Sequence, residues 1–128
     1  MWVKEIFLFA PAGQINRLMS EFEKNVLKPF TPCRFKTTEA IIKALAVVHT
    51  ELLLIHPFRE GNGRIARLIA MIMALQAGLP LLDFGGIKGR KKQEYFASVQ
   101  AGLEKNYRPM ERIFYSVVKR SIKKMKRS

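Results

Sequence analysis

Twelve consecutive residues, His56-Pro57-Phe58-Arg59-Glu60-Gly61-Asn62-Gly63-Arg64-Ile65-Ala66-Arg67, bring together the types needed to handle a phosphate ester. Gly61 and Gly63 let the backbone turn sharply and approach a ligand closely. If a helix begins at Asn62 or Gly63, its first N–H groups point outward and form a ready anion site. Arg64 and Arg67 then share one face within the first turns. That placement is locally unfavourable, because like charges one turn apart repel and cations oppose the positive end of the helix dipole, at roughly 0.3–1 kcal/mol each. A sequence that breaks local rules twice at one spot points to a ligand that repairs the conflict. A polyphosphate does so by accepting from the backbone nest and from both guanidinium groups. Glu60, just ahead of the nest, is placed to hold Mg²⁺, which takes one or two protein oxygens beside bound phosphates. His56 supplies a proton acceptor near neutral pH. Together these are the parts of a phosphoryl-type transfer site.

The flanking sequence supplies the elements that must position these groups. Thr37 or Thr38 is an N-cap for a helix over Glu39–Ile55, with Ile41, Ile42, Leu45, Val48 and Leu52 on a broad apolar face. Pro57 biases His56 out of the helical region and ends that helix. The next helix runs from Asn62 or Gly63 through Ile65, Leu68, Ile69, Ile72 and Leu75 and stops at Gly78, with Pro80 beyond. Upstream, Ile15, Leu18, Met19, Phe22 and Val26 recur at helical spacing, and Pro29 and Pro32 mark a loop. Leu79–Arg90 reads as a surface loop, and Lys91–Lys105 and Met110–Lys124 as two further helices. Lys4–Phe9 reads as a short extended piece. The expected class is all-α, with one strand or hairpin at the N-terminus.

The length of 128 residues suits one domain, and 48% hydrophobic residues exclude a disordered tail. No apolar run reaches the ~18 residues of a membrane span, and no cleavage-site pattern marks a signal peptide. Cys33, the lone cysteine, excludes an internal disulfide and fits a reducing cytoplasm. The net charge of +13 concentrates in Lys88-Gly89-Arg90-Lys91-Lys92 and in the basic tail, residues 119–128. Such runs suit acidic partners, nucleic acid or anionic lipid, or are solvated helix ends. No aromatic residue follows Tyr115 for base stacking, so nucleic acid is not the expected primary partner. His49 lies seven residues before His56 on the same helix face, and with no further His or Cys nearby it reads as a buried residue and not a zinc ligand. Glu51 reads as a solvated residue, and Met71 and Met73 as core packing.

The segment His56–Arg67 resembles the Fic family signature, H-P-F-x-[D/E]-G-N-G-R-x-x-R, with every fixed position met and Glu at the acidic place. Ala44–Ile55 resembles the helix before that motif and Leu68–Pro80 the helix and Q-A-G-x-P turn after it, so that about residues 4–120 can be laid on the family. The resemblance implies a Fic-type helical bundle over residues 1–128 that transfers AMP from ATP, with Mg²⁺, to a Ser, Thr or Tyr of a target protein. It makes His56 the general base and Glu60 the Mg²⁺ ligand. Gly61, Asn62 and Gly63 become the anion hole, with Arg64 on the leaving pyrophosphate and Arg67 on the γ-phosphate. Phe58 anchors the loop, and Tyr95 falls where the family places an aromatic near the adenine. Lys4, Glu5, Ile6, Phe7, Leu8 and Phe9 resemble the flap strand that holds the target peptide. Relatives normally carry a first flap strand and further helices ahead of this point, so the chain reads as a truncated or minimal member. Gly102 falls near a position where relatives carry Asn.

Many relatives are silenced by a helix with the pattern [S/T]-x-x-x-E-[G/N], and none of the ten acidic residues completes it. The chain alone is therefore expected not to inhibit itself; a separate antitoxin-like inhibitory chain and a second copy of this chain are the further partners entertained. Rival readings are a Fic-fold enzyme that uses another donor or removes AMP, and a basic module for nucleic acid or acidic partners with a vestigial site. The intact G-N-G-R core favours AMP transfer.

Overall fold

The computed structural model describes residues 12–56 and 61–127, and every regular element among them is helical. After a 3₁₀ turn at Ala12–Gln14 come α1 (Ile15–Phe22), α2 (Thr38–Ile55), α3 (Asn62–Gln76), α4 (Arg90–Ala101) and α5 (Arg108–Lys126). The expected flap at Lys4–Phe9, together with Phe58 and Glu60, lies outside the described residues. No helix among the described residues is long and apolar enough to cross a membrane.

α2 is the axis of the bundle, with α1, α3, α4 and α5 all packed against it. Its start follows from local chemistry: extended Thr37 caps the helix, its Oγ1 accepting from the Ala40 N–H at 3.1 Å. Seven successive residues, Ala44 to Thr50, are buried. A helix apolar on all sides must be surrounded, so the single apolar face expected from sequence understates its burial.

The helical period from Ile15 holds, but the helix is not uniform. α1 passes into a wide π turn at Glu23–Leu27 and a last helical turn at Lys28–Phe30. Pro29 has no N–H to give and crowds the carbonyl four residues back, and a π turn is one way to pass that obstacle. Pro29 therefore sits in the helical run and the loop begins only at Thr31.

α3 reverses the expected orientation of its side chains. Its buried positions are Asn62, Ala66, Ala70, Met73 and Ala74, whereas Ile65, Leu68, Ile72 and Leu75 are 37–55% exposed. Periodicity identifies an apolar stripe but not which stripe faces the core. Here the small alanines let the α3 backbone lie close against α2, and the large aliphatic side chains line the outer side.

The Leu79–Arg90 segment is only partly a surface loop. Leu82 is buried, and the Asp83 N–H donates to Ser121 Oγ of α5 at 2.8 Å. Glu51 is likewise not solvated. Tyr107 donates its hydroxyl to Glu51 at 2.6 Å and Lys105 pairs with it at 3.1 Å, tying α2 to the α4–α5 connection.

Two substitutions test the inverted stripe. Ala70→Leu overfills the α2–α3 contact and is expected to destabilise by about 1–3 kcal/mol, whereas exposed Ile72→Ser should change stability by no more than about 0.5 kcal/mol. Chemical denaturation of both variants measures the difference, and the reverse order would contradict the assignment of faces.

Candidate active site

The end of α2 and the start of α3 frame the site. His56 leaves the right-handed helix, but not into the extended region expected before proline: it takes left-handed backbone angles, φ 52° and ψ 58°, and still donates its N–H to Leu52 O at 3.2 Å. This is a Schellman-like way to close a helix, with the residue past the last turn in the left-handed region. The ring is half-buried, and its Nε2 is shielded from solvent.

Across the motif, Gly61 caps α3 with φ 82°, a conformation that costs glycine nothing and a side-chain-bearing residue about 1 kcal/mol or more. Gly61 brings no side chain to cap this helix start and no acidic residue lies in its first turn, an arrangement that suits an anion at the positive end of the helix. Asn62 itself is buried.

Both arginines lean back over this nest, as long side chains on a helix do. The Arg64 guanidinium comes within 3.7 Å of where a Cβ on Gly61 would stand, and that of Arg67 within 3.3 Å of one on Gly63. The glycines are thus places where cationic groups close over the backbone, and a side chain at 63 would push Arg67 aside. The expected grouping of Gly61, Asn62, Gly63, Arg64 and Arg67 at one helix start is what the structure brings together. The metal ligand expected at Glu60 lies outside the described residues, and among the described residues no group of three or more His, Cys, Asp or Glu gathers to hold a metal.

Beneath the nest lies a layer built on His49, buried as its place on the helix implies. His49 is 1% exposed, with Nδ1 3.3 Å from Ala66 O of α3 and Nε2 2.5 Å from the Tyr95 hydroxyl of α4. A carbonyl can only accept, so Nδ1 carries the proton and Nε2 accepts from the phenol. Phe84 stacks on the ring at 6.4 Å and Phe114 of α5 meets it edge-on at 5.1 Å. Burial in this cage, opposed by the Ala66 bond and assisted by the nearby Arg67 charge, lowers the His49 pKa to about 4. Burial also pushes the Tyr95 phenol well above its usual range. Tyr95, expected near the adenine, therefore directs its hydroxyl inward to His49, while its ring stays half-buried beside Phe96. The only sequence signal for this layer was the position of His49 on the motif-bearing helix.

Gly102, near the position where the resemblance implied an Asn, packs so closely on α2 that a Cβ would collide with Thr50 Cγ2. An Asn side chain there would have to displace the side chains of Thr50 and Leu54.

The Fic/DOC family model matches residues 4–74 of this chain. The chain is 34% identical over 71 residues to a protein from Caenorhabditis elegans named protein adenylyltransferase fic-1, covering 56% of this chain and 13% of that one. It is 30% identical over 114 residues to protein adenylyltransferase Fic of Culex quinquefasciatus, covering 86% of this chain and 20% of that one. The chain thus spans a fifth or less of these relatives. The crystal structure of the BepC protein of Bartonella tribocorum, with bound AMPPNP, superposes with a TM-score of 0.70 at 26% identity, over 85% of this chain and 50% of that one.

His49 also gives the site a pH signature. The unfolded ring takes a proton near pH 6.5 and the folded ring only near 4, so between those values the unfolded state binds more protons and stability rises with pH. The contribution is complete above pH 6.5 and is lost as pH falls through about 4, amounting to no more than about 3 kcal/mol. Denaturant midpoints measured across this range should show the slope in the native chain and a clear reduction in His49→Gln.

Proposed function

Because the chain belongs to the Fic/DOC family, we propose that it is a protein adenylyltransferase, moving AMP from ATP to a Ser, Thr or Tyr hydroxyl of a target protein. The observation that carries this reading is the closure of the Arg64 and Arg67 guanidinium groups over the Gly61–Gly63 helix start. Two cations held at the positive end of a helix dipole are favoured only with an anion between them. A triphosphate supplies negative charge at several oxygens within reach of both. The relatives named adenylyltransferases and the BepC structure with bound AMPPNP support the choice of nucleotide.

In this reading His56 accepts the proton of the target hydroxyl as that oxygen attacks the α-phosphorus. A new P–O bond forms to the target, the bond from the α-phosphorus to the bridging oxygen breaks, and pyrophosphate leaves with the bonding pair. The Asn62 side chain and the N–H groups of Gly61–Gly63 hold the α-phosphate, where charge develops in the transition state. Arg64 holds the leaving pyrophosphate and Arg67 the γ-phosphate. Phe58 anchors the motif, and Lys4–Phe9 takes the target segment by strand addition. Glu60 is the carboxylate we assign to Mg²⁺, which when bound neutralises charge on the α- and β-phosphates. The half-buried ring of Tyr95 borders the base, with its hydroxyl retained by His49.

The test is incubation with α-labelled ATP, Mg²⁺ and cell lysate, with γ-labelled ATP in parallel. Label from the α-position should appear on protein and vanish in His56→Ala, and Arg67→Ala should slow transfer by about 10²–10³-fold, as for loss of one transition-state donor. Protein label from the γ-position instead would replace AMP transfer by phosphate transfer, and α-label that persists in His56→Ala would remove the histidine from its role.

A further inference from the structure

The two basic runs, separated by nearly thirty residues in sequence, are brought to one side of the bundle. Arg120 of α5 binds Asp83 at 3.0 Å and Lys124 reaches it at 3.6 Å, while the Arg120 guanidinium lies along the Gly85–Gly86 turn. The end of α5 is thereby fixed against the loop that leads into Lys88–Lys92. Between α4 and α5 the same contacts leave a solvent-open groove of about 720 Å³, inside the roughly 300–1,000 Å³ range of ligand clefts. Among the described residues, His56 and those from Gly61 to Arg67 do not line it.

The lining of this groove is amphipathic. Ala97, Pro109, Ile113 and Val117 give it an apolar floor, and the exposed cations Lys91, Arg112 and Arg120 stand around it from both walls. Asp83 and Glu94 are the acids among its described lining residues. The Gly85 N–H and the Arg120 guanidinium hold the Asp83 carboxyl below the usual carboxylate range, so it stays charged at neutral pH.

This pattern separates the candidate ligands. A nucleic-acid strand offers phosphates to the cations, but it leaves the apolar floor uncovered and finds no aromatic ring among the described lining residues on which to stack a base. A peptide meets every part: acidic side chains face Lys91, Arg112 and Arg120, backbone N–H groups donate to Asp83 and Glu94, and an apolar side chain covers the floor. We propose that the α4–α5 groove docks an acidic segment with an apolar centre from the protein that the chain modifies. The identity of the partner as the modified protein rests on the adenylyltransferase reading; the docking itself does not. Charge complementarity of this kind acts mainly on the rate of encounter and on partner choice.

Fluorescence anisotropy with a labelled peptide, Glu-rich on both flanks of a Leu-Leu centre, tests the groove directly. Saturable binding is expected, weakened about tenfold or more by Gln in place of Glu, and likewise by the double variant Lys91→Glu, Arg112→Glu. Ser in place of Leu should weaken it as well. Ala97→Trp, at an exposed position in the groove, should block binding without altering charge, and circular dichroism checks that both variants keep their helices. Absence of saturable binding overturns the proposal, as does equal affinity for the Ser peptide or binding unchanged in both variants. Tighter binding of an oligothymidylate of matched length also overturns it and assigns the face to nucleic acid. The measurement needs no nucleotide. If binding holds but wild-type chain transfers no α-label, the enzymatic reading falls and the docking stands; if binding fails while label transfers, only the docking falls.

Discussion

His49 accepts from Tyr95 of α4 with one ring nitrogen and donates to the Ala66 carbonyl of α3 with the other, from a position on α2 and between Phe84 and Phe114. One neutral ring thus joins four of the five helices and the loop between α3 and α4. Ala66 lies one residue before Arg67, so the bond fixes the rotation of α3 where it presents its arginines. A charged ring would have to turn the phenol from donor to acceptor and would carry an unpaired cation into a buried aromatic cage. Burial keeps the imidazole neutral, and the two bonds it makes orient α3 against α2 and α4.

The nest at the start of α3 depends on that orientation. In the proposed site an anion would be held by backbone N–H groups and by two guanidinium groups whose charge opposes the dipole, and the buried alanines of α3 hold the helix in place by close packing on α2. Local unfavourable terms near a functional helix start are tolerated when the packing behind them leaves the backbone no alternative.

Much of this was legible from residue types. The Thr37 cap, the helix beginning at Asn62 and the grouping of Gly61, Gly63, Arg64 and Arg67 all follow from local chemistry, which sequence encodes directly. What could not be read was long-range. That α3 buries Ala66, Ala70 and Ala74 and turns Ile65, Leu68 and Ile72 outward is decided by how closely α2 approaches. The inward turn of the Tyr95 hydroxyl and the partners of Glu51 depend on residues some fifty positions away in the chain. The π turn at Glu23–Leu27 keeps the apolar period nearly intact and so leaves almost no trace in the pattern.

The left-handed backbone at His56 sets two demands on one position. The proposed chemistry asks for an imidazole there, while the φ of 52° asks for a residue without a Cβ. Histidine tolerates that region better than most side chains, yet glycine would fit it with less strain. Position 56 is then a place where selection for thermal robustness and selection for turnover pull toward different residues, and a chain that has lost its reaction would be free to drift toward glycine at the very residue on which that reaction turns.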